Sequence, residues 1–253
     1  MLSKTSNFVN MQNCLSNDIL MSKYPHQSST QVVIAALNEE EGIGLTIEEL
    51  QKKIDAPVLV VDGNSIDKTV IIAKKLGANV IFQDGTGKGN ALAKALSYTN
   101  SDVEYIILTD ADYTYSAEKI PEMIKILEEN SKIGMVCGNR FSGHIEEKAF
   151  NIQFYIGNKI LTIIHSIFND VSLQDPLTGL RVIRADILRD WKPKSEGFDI
   201  EIELNILIEK NGFKTIEVPT QYRQRVGEKK LKMKHGLTIL KRILLETLDK
   251  QSK

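Results

Sequence analysis

Strands and helices alternate through residues 31–112, and this alternation leaves few folds open to the chain. A β-branched apolar run, QVVIAAL at residues 31–37, precedes a segment with helical spacing of apolar residues at 38–54. The pattern then repeats, with strands predicted at 58–63, 78–83 and 105–112 and helices predicted at 67–77 and 87–99. Such alternation is typical of a mostly parallel sheet flanked by helices. The sequence therefore predicts an α/β fold.

Charge and cysteine content exclude several classes of function. The chain carries 32 basic and 33 acidic residues, a net charge of −1, so no nucleic-acid partner is expected. The two cysteines, Cys14 and Cys137, form no disulfide framework or zinc motif. No segment reaches the roughly twenty apolar residues of a membrane span, which predicts a soluble or peripheral protein.

The two ends of the chain differ from its middle. Residues 1–30 are rich in Ser and Asn and carry isolated apolar positions, so we expect a poorly ordered N-terminal extension. Residues 31–232 are predicted to form a single domain, and residues 233–253 an amphipathic basic helix. The helix predicted at 151–170 is apolar on more than one face, which is typical of a buried or membrane-interface helix.

Polar side chains follow the predicted strands at their carboxyl ends. Asn38 and Glu39 come after the first strand, Asp62 after the second, and Asp110 and Asp112 after the fourth. In open parallel sheets ligands bind at this edge. The pattern therefore predicts a polar ligand site there.

Asp110 and Asp112 raise a question of charge, because two neighbouring carboxylates repel unless a cation lies between them. Mg²⁺ or Mn²⁺ binds through one or two carboxylates together with substrate phosphates. The pair is thus a candidate metal site and a handle for a nucleotide diphosphate. A solvated turn after a strand is the alternative for this tripeptide alone.

Three stretches in order, VVIAALNEEEGI (32–43), LVVDGNSIDKT (59–69) and LTDADYTYS (108–116), resemble glycosyltransferase family two. Within it, the chain resembles the dolichyl-phosphate or polyprenyl-phosphate sugar synthases over about residues 31–232. The resemblance implies a GT-A fold and an inverting, metal-dependent hexosyltransferase. It also implies a nucleotide-sugar donor, with UDP-sugar favoured over GDP-mannose, and a dolichyl or polyprenyl phosphate acceptor used in protein glycosylation. We expect such an enzyme to lie in the cytoplasm, at the cytoplasmic face of a membrane.

The resemblance also assigns residues to roles. It implies donor binding by Asn38, Glu39, Asp62, Lys88, Asp110, Arg225 and Lys230; metal binding by Asp110 and Asp112; an acceptor-phosphate contact at Arg140; and catalytic roles for Asp112, Asp199 and Glu201. Lys229 stands where the family usually has serine, and Thr114 where relatives often have a metal-binding Gln. We expect a structural ion pair between Asp175 and Arg181.

Two other functions stay open. A carbohydrate hydroxyl acceptor must lose a proton as it attacks, so Asp199 or Glu201 would then act as base. A phosphate monoester, with a second pKa of about 6, is largely ionised already and needs no base. A non-catalytic nucleotide-sugar-binding protein is the third reading.

Overall fold

The structure, a computed structural model, describes residues 29–149, 151–169, 172–230 and 235–251. The predicted N-terminal extension lies outside the described residues except for Ser29 and Thr30, and Thr30 already belongs to the first strand. The predicted boundary between residues 232 and 233 also lies outside them. The predicted domain limits therefore stay predictions.

One sheet of seven strands forms the centre of the described structure, in the order β3-β2-β1-β4-β6-β5-β7. The strands are β1 (Thr30–Ala36), β2 (Val58–Asp62), β3 (Asn79–Phe82), β4 (Tyr105–Asp110), β5 (Ile133–Asn139), β6 (Arg181–Arg184) and β7 (Lys214–Pro219). β6 runs antiparallel to both of its neighbours, and the other strand pairs are parallel. The predicted mostly parallel α/β sheet is confirmed.

Helices cover the sheet. They are α1 (Ile43–Lys53), α2 (Thr69–Lys75), α3 (Lys88–Leu96), α4 (Ile120–Glu129), α5 (Ile152–Asn169), α6 (Ala185–Leu188), α7 (Ile200–Lys210) and α8 (His235–Gln251). The first helix begins only at Ile43, not at Asn38 as predicted, because Asn38 takes a left-handed φ of 49° and starts a turn. A Cβ at Gly42 would lie 2.7 Å from the Ala111 carbonyl oxygen, so this turn packs directly against the end of β4.

The core lies on both faces of the sheet, because successive strand residues point to opposite sides. Val32 and Ile34 of β1 face a cluster that includes Ile47 of α1 and Met123 of α4. Val33 faces the opposite cluster, together with residues of α3 and α7. A domain that buries both faces in this way leaves the strand ends as the place for polar side chains.

Strand register brings the polar residues to one edge. Ala36 of β1 pairs with Asp62 of β2, and Ala35 pairs with Asp110 of β4. The carboxyl ends of these three parallel strands therefore lie side by side, as the sequence pattern predicts.

α5 and α8 form a separate layer over α7. A third apolar cluster joins Ile202 and Ile206 of α7 to Ile239 and Ile243 of α8, with Leu161 and Ile164 of α5 packed against it. Among the described helices, none is long and apolar enough to cross a membrane.

Candidate active site

The first of two ion-pair clusters at the carboxyl edge is centred on Lys88, the first residue of α3. Its Nζ lies 2.6 Å from Asp110 Oδ1 and 2.8 Å from Glu201 Oε1 in the first turn of α7. A Cβ at Gly89 would lie 1.8 Å from the Ser195 carbonyl oxygen, so glycine is needed for α3 to approach the segment before α7. The fold thus brings together three residues that the sequence placed in one site.

Burial and charge set the protonation of this cluster. Burial alone would lower the pKa of Lys88, but the carboxylates of Asp110 and Glu201 outweigh it and raise that pKa. Burial would raise the pKa of Asp110, yet the Lys88 ammonium holds that pKa below its usual value. The lysine is therefore an ammonium and Asp110 a carboxylate near neutral pH.

The second cluster is centred on Arg225. Its Nη1 donates to Asp112 Oδ2 and its Nη2 donates to Glu39 Oε1. Thr114 donates to the other oxygen of Asp112, Oδ1, through its backbone N–H at 3.1 Å and its hydroxyl at 2.6 Å. Thr114 therefore supports Asp112. Burial and the neighbouring Asp110 raise the pKa of Asp112, and burial, opposed by Arg225, raises the pKa of Glu39 to about 7.

The loop at residues 223–230, which we call the closing loop, lies across these acids. The Val226 N–H donates to the Asp112 carbonyl at 3.1 Å, and Lys230 Nζ donates to the Asn38 carbonyl at 3.1 Å. At its start, Arg223 binds Glu49 of α1 through two N–H groups at 2.6 and 2.8 Å. Sequence reasoning missed this anchor, because its partners are 174 positions apart and no local pattern joins them.

Asp62 is buried and bonded within its own turn. Its two carboxylate oxygens accept from the backbone N–H of Ser65 at 2.7 Å and from the Ser65 hydroxyl at 2.6 Å. The same hydroxyl accepts from the Asn38 N–H at 2.8 Å, and Asn38 Oδ1 accepts from the Ile66 N–H at 2.9 Å. These bonds join the turns that follow β1 and β2, beside the ion-pair clusters.

Arg140 follows β5 and forms a bidentate pair with Asp175. Its Nε donates to Asp175 Oδ2 at 2.7 Å and its Nη2 donates to Oδ1 at 2.6 Å. The expected ion pair between Asp175 and Arg181 is wrong. Arg181 is 1% exposed and donates instead to Asn205 Oδ1 at 2.6 Å and to backbone carbonyls.

Asp199 and Glu201 point to different places although they are two residues apart. Glu201 reaches Lys88 in the first cluster, whereas Asp199 Oδ2 accepts from Nε of Arg242 of α8 at 3.0 Å. Glu201 Oε2 is buried and has no hydrogen-bond partner among the described residues. Of the two predicted acids, the structure brings only Glu201 to the other candidate site residues.

The carboxylate oxygens of Asp110 and Asp112 are ligands that suit a hard divalent cation. Both side chains are carboxylates, and Asp110 Oδ2 accepts no hydrogen bond from the described part of the chain. The described residues contain no group of three His, Cys, Asp or Glu side chains that could enclose a metal. Two carboxylates are nevertheless enough where substrate phosphates complete the coordination, as is usual for Mg²⁺.

The family model for glycosyl transferase family 2 matches residues 31–191, which is more than half of the chain. The chain belongs to glycosyl transferase family 2. This confirms the predicted family, and with it a glycosyltransferase. The match includes both predicted aspartates of the metal site and ends before the closing loop.

Two relatives come from Haloferax volcanii. The chain is 31% identical over 201 residues to Glycosyltransferase AglJ, covering 79% of this chain and 65% of AglJ. It is 32% identical over 209 residues to Dolichyl-phosphate hexose transferase, covering 79% of this chain and 85% of that protein. The resemblance to lipid-phosphate sugar transferases is thereby confirmed.

Solved structures confirm the GT-A fold. Glucosyl-3-phosphoglycerate synthase from Mycobacterium tuberculosis, in complex with Mn²⁺, UDP-glucose and phosphoglyceric acid, superimposes with a TM-score of 0.68. The identity is 20%, over 90% of this chain and 82% of the synthase. At this identity the likeness shows the fold alone.

Proposed function

We propose that this glycosyltransferase moves a hexose from a nucleotide-diphosphate sugar, with UDP-sugar as the favoured donor, to dolichyl or polyprenyl phosphate. The observation that carries the proposal is the pair of ion clusters at the carboxyl edge. There two bases each pair with two acids: Lys88 with Asp110 and Glu201, and Arg225 with Asp112 and Glu39, which leaves more acids than bases. A site of alternating fixed charges suits a diphosphate and a divalent cation. The acceptor follows from the similarity to a protein named as a dolichyl-phosphate hexose transferase.

Each side of the donor has a candidate partner. Asn38 and Asp62 lie at the turn proposed to meet the nucleoside, and Asp110 and Asp112 are proposed to hold Mg²⁺ or Mn²⁺. When bound, such an ion neutralises part of the negative charge of the diphosphate. Arg225 is a suitable diphosphate ligand because a guanidinium binds phosphate oxygens in bidentate fashion. Lys230 adds a second positive charge from the same loop.

The transfer needs no general base when the acceptor is a phosphate monoester. A phosphate oxygen, already ionised, forms the new bond to the anomeric carbon. The bond between that carbon and the β-phosphate oxygen breaks, and the nucleoside diphosphate leaves with the electron pair. Attack opposite the leaving group inverts the anomeric centre. Arg225, Lys230 and Lys88 would stabilise the charge that collects on the leaving group.

A carbohydrate hydroxyl is the second candidate acceptor, and one observation favours it. Glu201 Oε2 is buried without a partner in the described structure, so a free carboxylate oxygen is available to take a proton. Asp199 is the other candidate base, and its carboxylate would first have to leave Arg242.

A peripheral membrane position is part of the proposal. One face of α5 carries an exposed apolar stripe, Ile152, Ile156, Ile160, Ile163 and Ile167, each more than half exposed. The neighbouring helix α8 adds exposed Leu237 and Leu248. Apolar faces of this kind bind in the membrane interface, where an enzyme can reach a lipid-linked acceptor.

Transfer of radiolabelled sugar from a panel of UDP- and GDP-sugars tests the proposal, with dolichyl phosphate and Mg²⁺ or Mn²⁺ present. We expect label in the organic extract with wild type and with Asp55→Asn, an exposed acid in the α1–β2 connection. We expect at least about a hundredfold less with Asp112→Asn. Donor turnover without labelled lipid would move the acceptor to a hydroxyl. Equal activity of Asp112→Asn would reject the metal site.

A further inference from the structure

Two lysines lie against aromatic rings between the closing loop and α5. Lys229 Nζ is 3.1 Å from the centroid of the Phe154 ring. Lys159 Nζ is 4.9 Å from the Phe141 centroid and 5.6 Å from the Tyr155 centroid. The Phe141 and Tyr155 rings pack edge to face, with centroids 5.1 Å apart. We call these five residues the lysine–aromatic cluster.

The charge of the cluster is not balanced by acids. In the described part of the chain, neither Lys159 nor Lys229 forms an ion pair with a carboxylate. The nearby Arg140 is already paired with Asp175 through two hydrogen bonds. Partial burial, followed by the positive charges of Arg225 and Arg140, lowers the pKa of Lys229. An unbalanced group of cations on a partly apolar surface is suited to an anion.

The cluster lies between two features that the proposed reaction needs. Lys229 belongs to the closing loop, whose Arg225 binds Asp112. Phe154, Tyr155 and Lys159 belong to the first half of α5, and the exposed isoleucine stripe of α5 continues from there to Ile167. A phosphate at the cluster would therefore have the proposed donor-binding site, with Asp112, on one side and an apolar helix face on the other.

We infer that the lysine–aromatic cluster is the subsite for the phosphate of the acceptor, with Lys159 and Lys229 as its ligands and the hydrocarbon chain on the stripe of α5. This inference rests on the proposed function and makes it more specific. The chemistry recognised is a phosphate monoester attached to an apolar chain. Both ammonium groups bind phosphate as mobile point charges, and the rings bind the first apolar carbons. Arg140, whose guanidinium lies 5.4 Å from the Phe141 centroid, is not counted as a ligand because Asp175 already pairs its charge.

Binding without turnover tests the inference separately from the reaction. Farnesyl phosphate, below its critical micelle concentration, is titrated calorimetrically into the full chain without donor. Farnesol and inorganic phosphate serve as the apolar and the phosphate half of the probe. We expect wild type to bind farnesyl phosphate at least about tenfold more tightly than either half.

The decisive variant is Lys159→Met/Lys229→Met, which keeps the aliphatic length of both side chains. We expect its Kd for farnesyl phosphate to rise at least about tenfold, the loss of one charge-assisted hydrogen bond or more. Lys52→Met is the matched control, since Lys52 is exposed at the end of α1 that lies away from the carboxyl edge. Lys229→Arg should retain binding. Circular dichroism confirms that the variants fold.

Three results would overturn the inference. The first is equal affinity of the double variant and wild type for farnesyl phosphate. The second is equal affinity of wild type for inorganic and farnesyl phosphate, which would assign the cluster to a free anion. The third is a double variant that loses binding to vesicles of phosphatidylcholine and phosphatidylglycerol but keeps its affinity for farnesyl phosphate. That result would make the cluster a membrane contact. Lipid transfer by wild type reports on the proposed function independently of these outcomes.

Discussion

The carboxyl edge of the sheet and the α5–α8 layer handle charge and apolar surface in opposite ways. At the edge, buried and partly buried acids and bases are paired within about 3 Å, and the strands hold Asp110 in register with its neighbours. In the layer, isoleucines and leucines lie exposed on the outer faces of helices that pack around a small third cluster. Under the proposed function, a charged donor replaces the protein's own ion pairs at the edge, and the lipid acceptor or the membrane covers the apolar surface of the layer.

Arg225→Gln should have the largest effect, because it removes the charge that faces both Asp112 and Glu39. We expect kcat for transfer to fall about a thousandfold, as when a charge-stabilising group is removed from a transition state. Steady-state kinetics with labelled donor measure it. Arg189→Gln is the control: the Arg189 side chain donates to the Val103 carbonyl at 3.3 Å, away from both ion-pair clusters, and kcat should stay within about threefold of wild type. A similar fall in kcat in Arg225→Gln and Arg189→Gln would show that charges at the carboxyl edge matter no more for transfer than other surface charges.

Lys88→Met should destabilise the protein by about 3 kcal/mol, because it leaves the buried Glu201 carboxylate and the partly buried Asp110 carboxylate unpaired. Urea unfolding of both proteins gives this difference. The double variant Lys88→Met/Glu201→Gln should recover part of the loss, since one of the two acids is then neutral. An unchanged free energy of unfolding for Lys88→Met would show that water solvates the Asp110 and Glu201 carboxylates well enough to replace Lys88.

His165 links the layer to the core and should make stability depend on pH. Burial, followed by the charge of Arg181, lowers its pKa to about 4, below its usual value of 6.5. The unfolded chain therefore binds more protons between these values, and this contribution is present above about pH 6.5 and is lost as pH falls towards 4. We expect about 2 kcal/mol less stability from this group at pH 5 than at pH 8. Urea unfolding at several pH values between about 5 and 8 measures this. The free energy of unfolding of His165→Gln should depend less on pH than that of wild type, and an equal pH dependence would contradict the assignment.

Ile163→Glu should have the smallest effect, limited to the apolar face of the layer. Ile163 is 59% exposed on the α5 stripe, and Ile71 is 68% exposed on α2. We expect partition onto vesicles of phosphatidylcholine and phosphatidylglycerol to fall about tenfold for Ile163→Glu and to stay near wild type for Ile71→Glu. Sedimentation with vesicles measures it, and equal losses would show that the layer is not the membrane face.

Much of the edge was predictable because it depends on local patterns. Strand and helix periods placed Asp62, Asp110 and Asp112 at strand ends, and parallel strands align those ends. The pairings were not predictable, because they join distant positions. Asp175 selects Arg140, 35 positions away, over Arg181, six positions away, since Arg181 is drawn into the core by Asn205 and the Pro176 carbonyl.

The layer was harder to predict for a related reason. The apolar residues of α5 fit a buried helix and an interface helix equally well, and only the packing of α7 and α8 decides which face stays exposed. Asp199 and Glu201 show the same limit on a shorter scale. At the start of α7 the two side chains point in different directions, so that Asp199 pairs with Arg242 and Glu201 with Lys88. The sequence around the two acids does not predict either partner.

The anomeric configuration of the purified product tests the central claim most directly. Proton and phosphorus NMR of the lipid fraction should show the sugar joined through its anomeric carbon to a phosphodiester, with the configuration opposite to that of the donor. A retained configuration, or a sugar joined to a hydroxyl with the lipid phosphate still a monoester, would contradict the account.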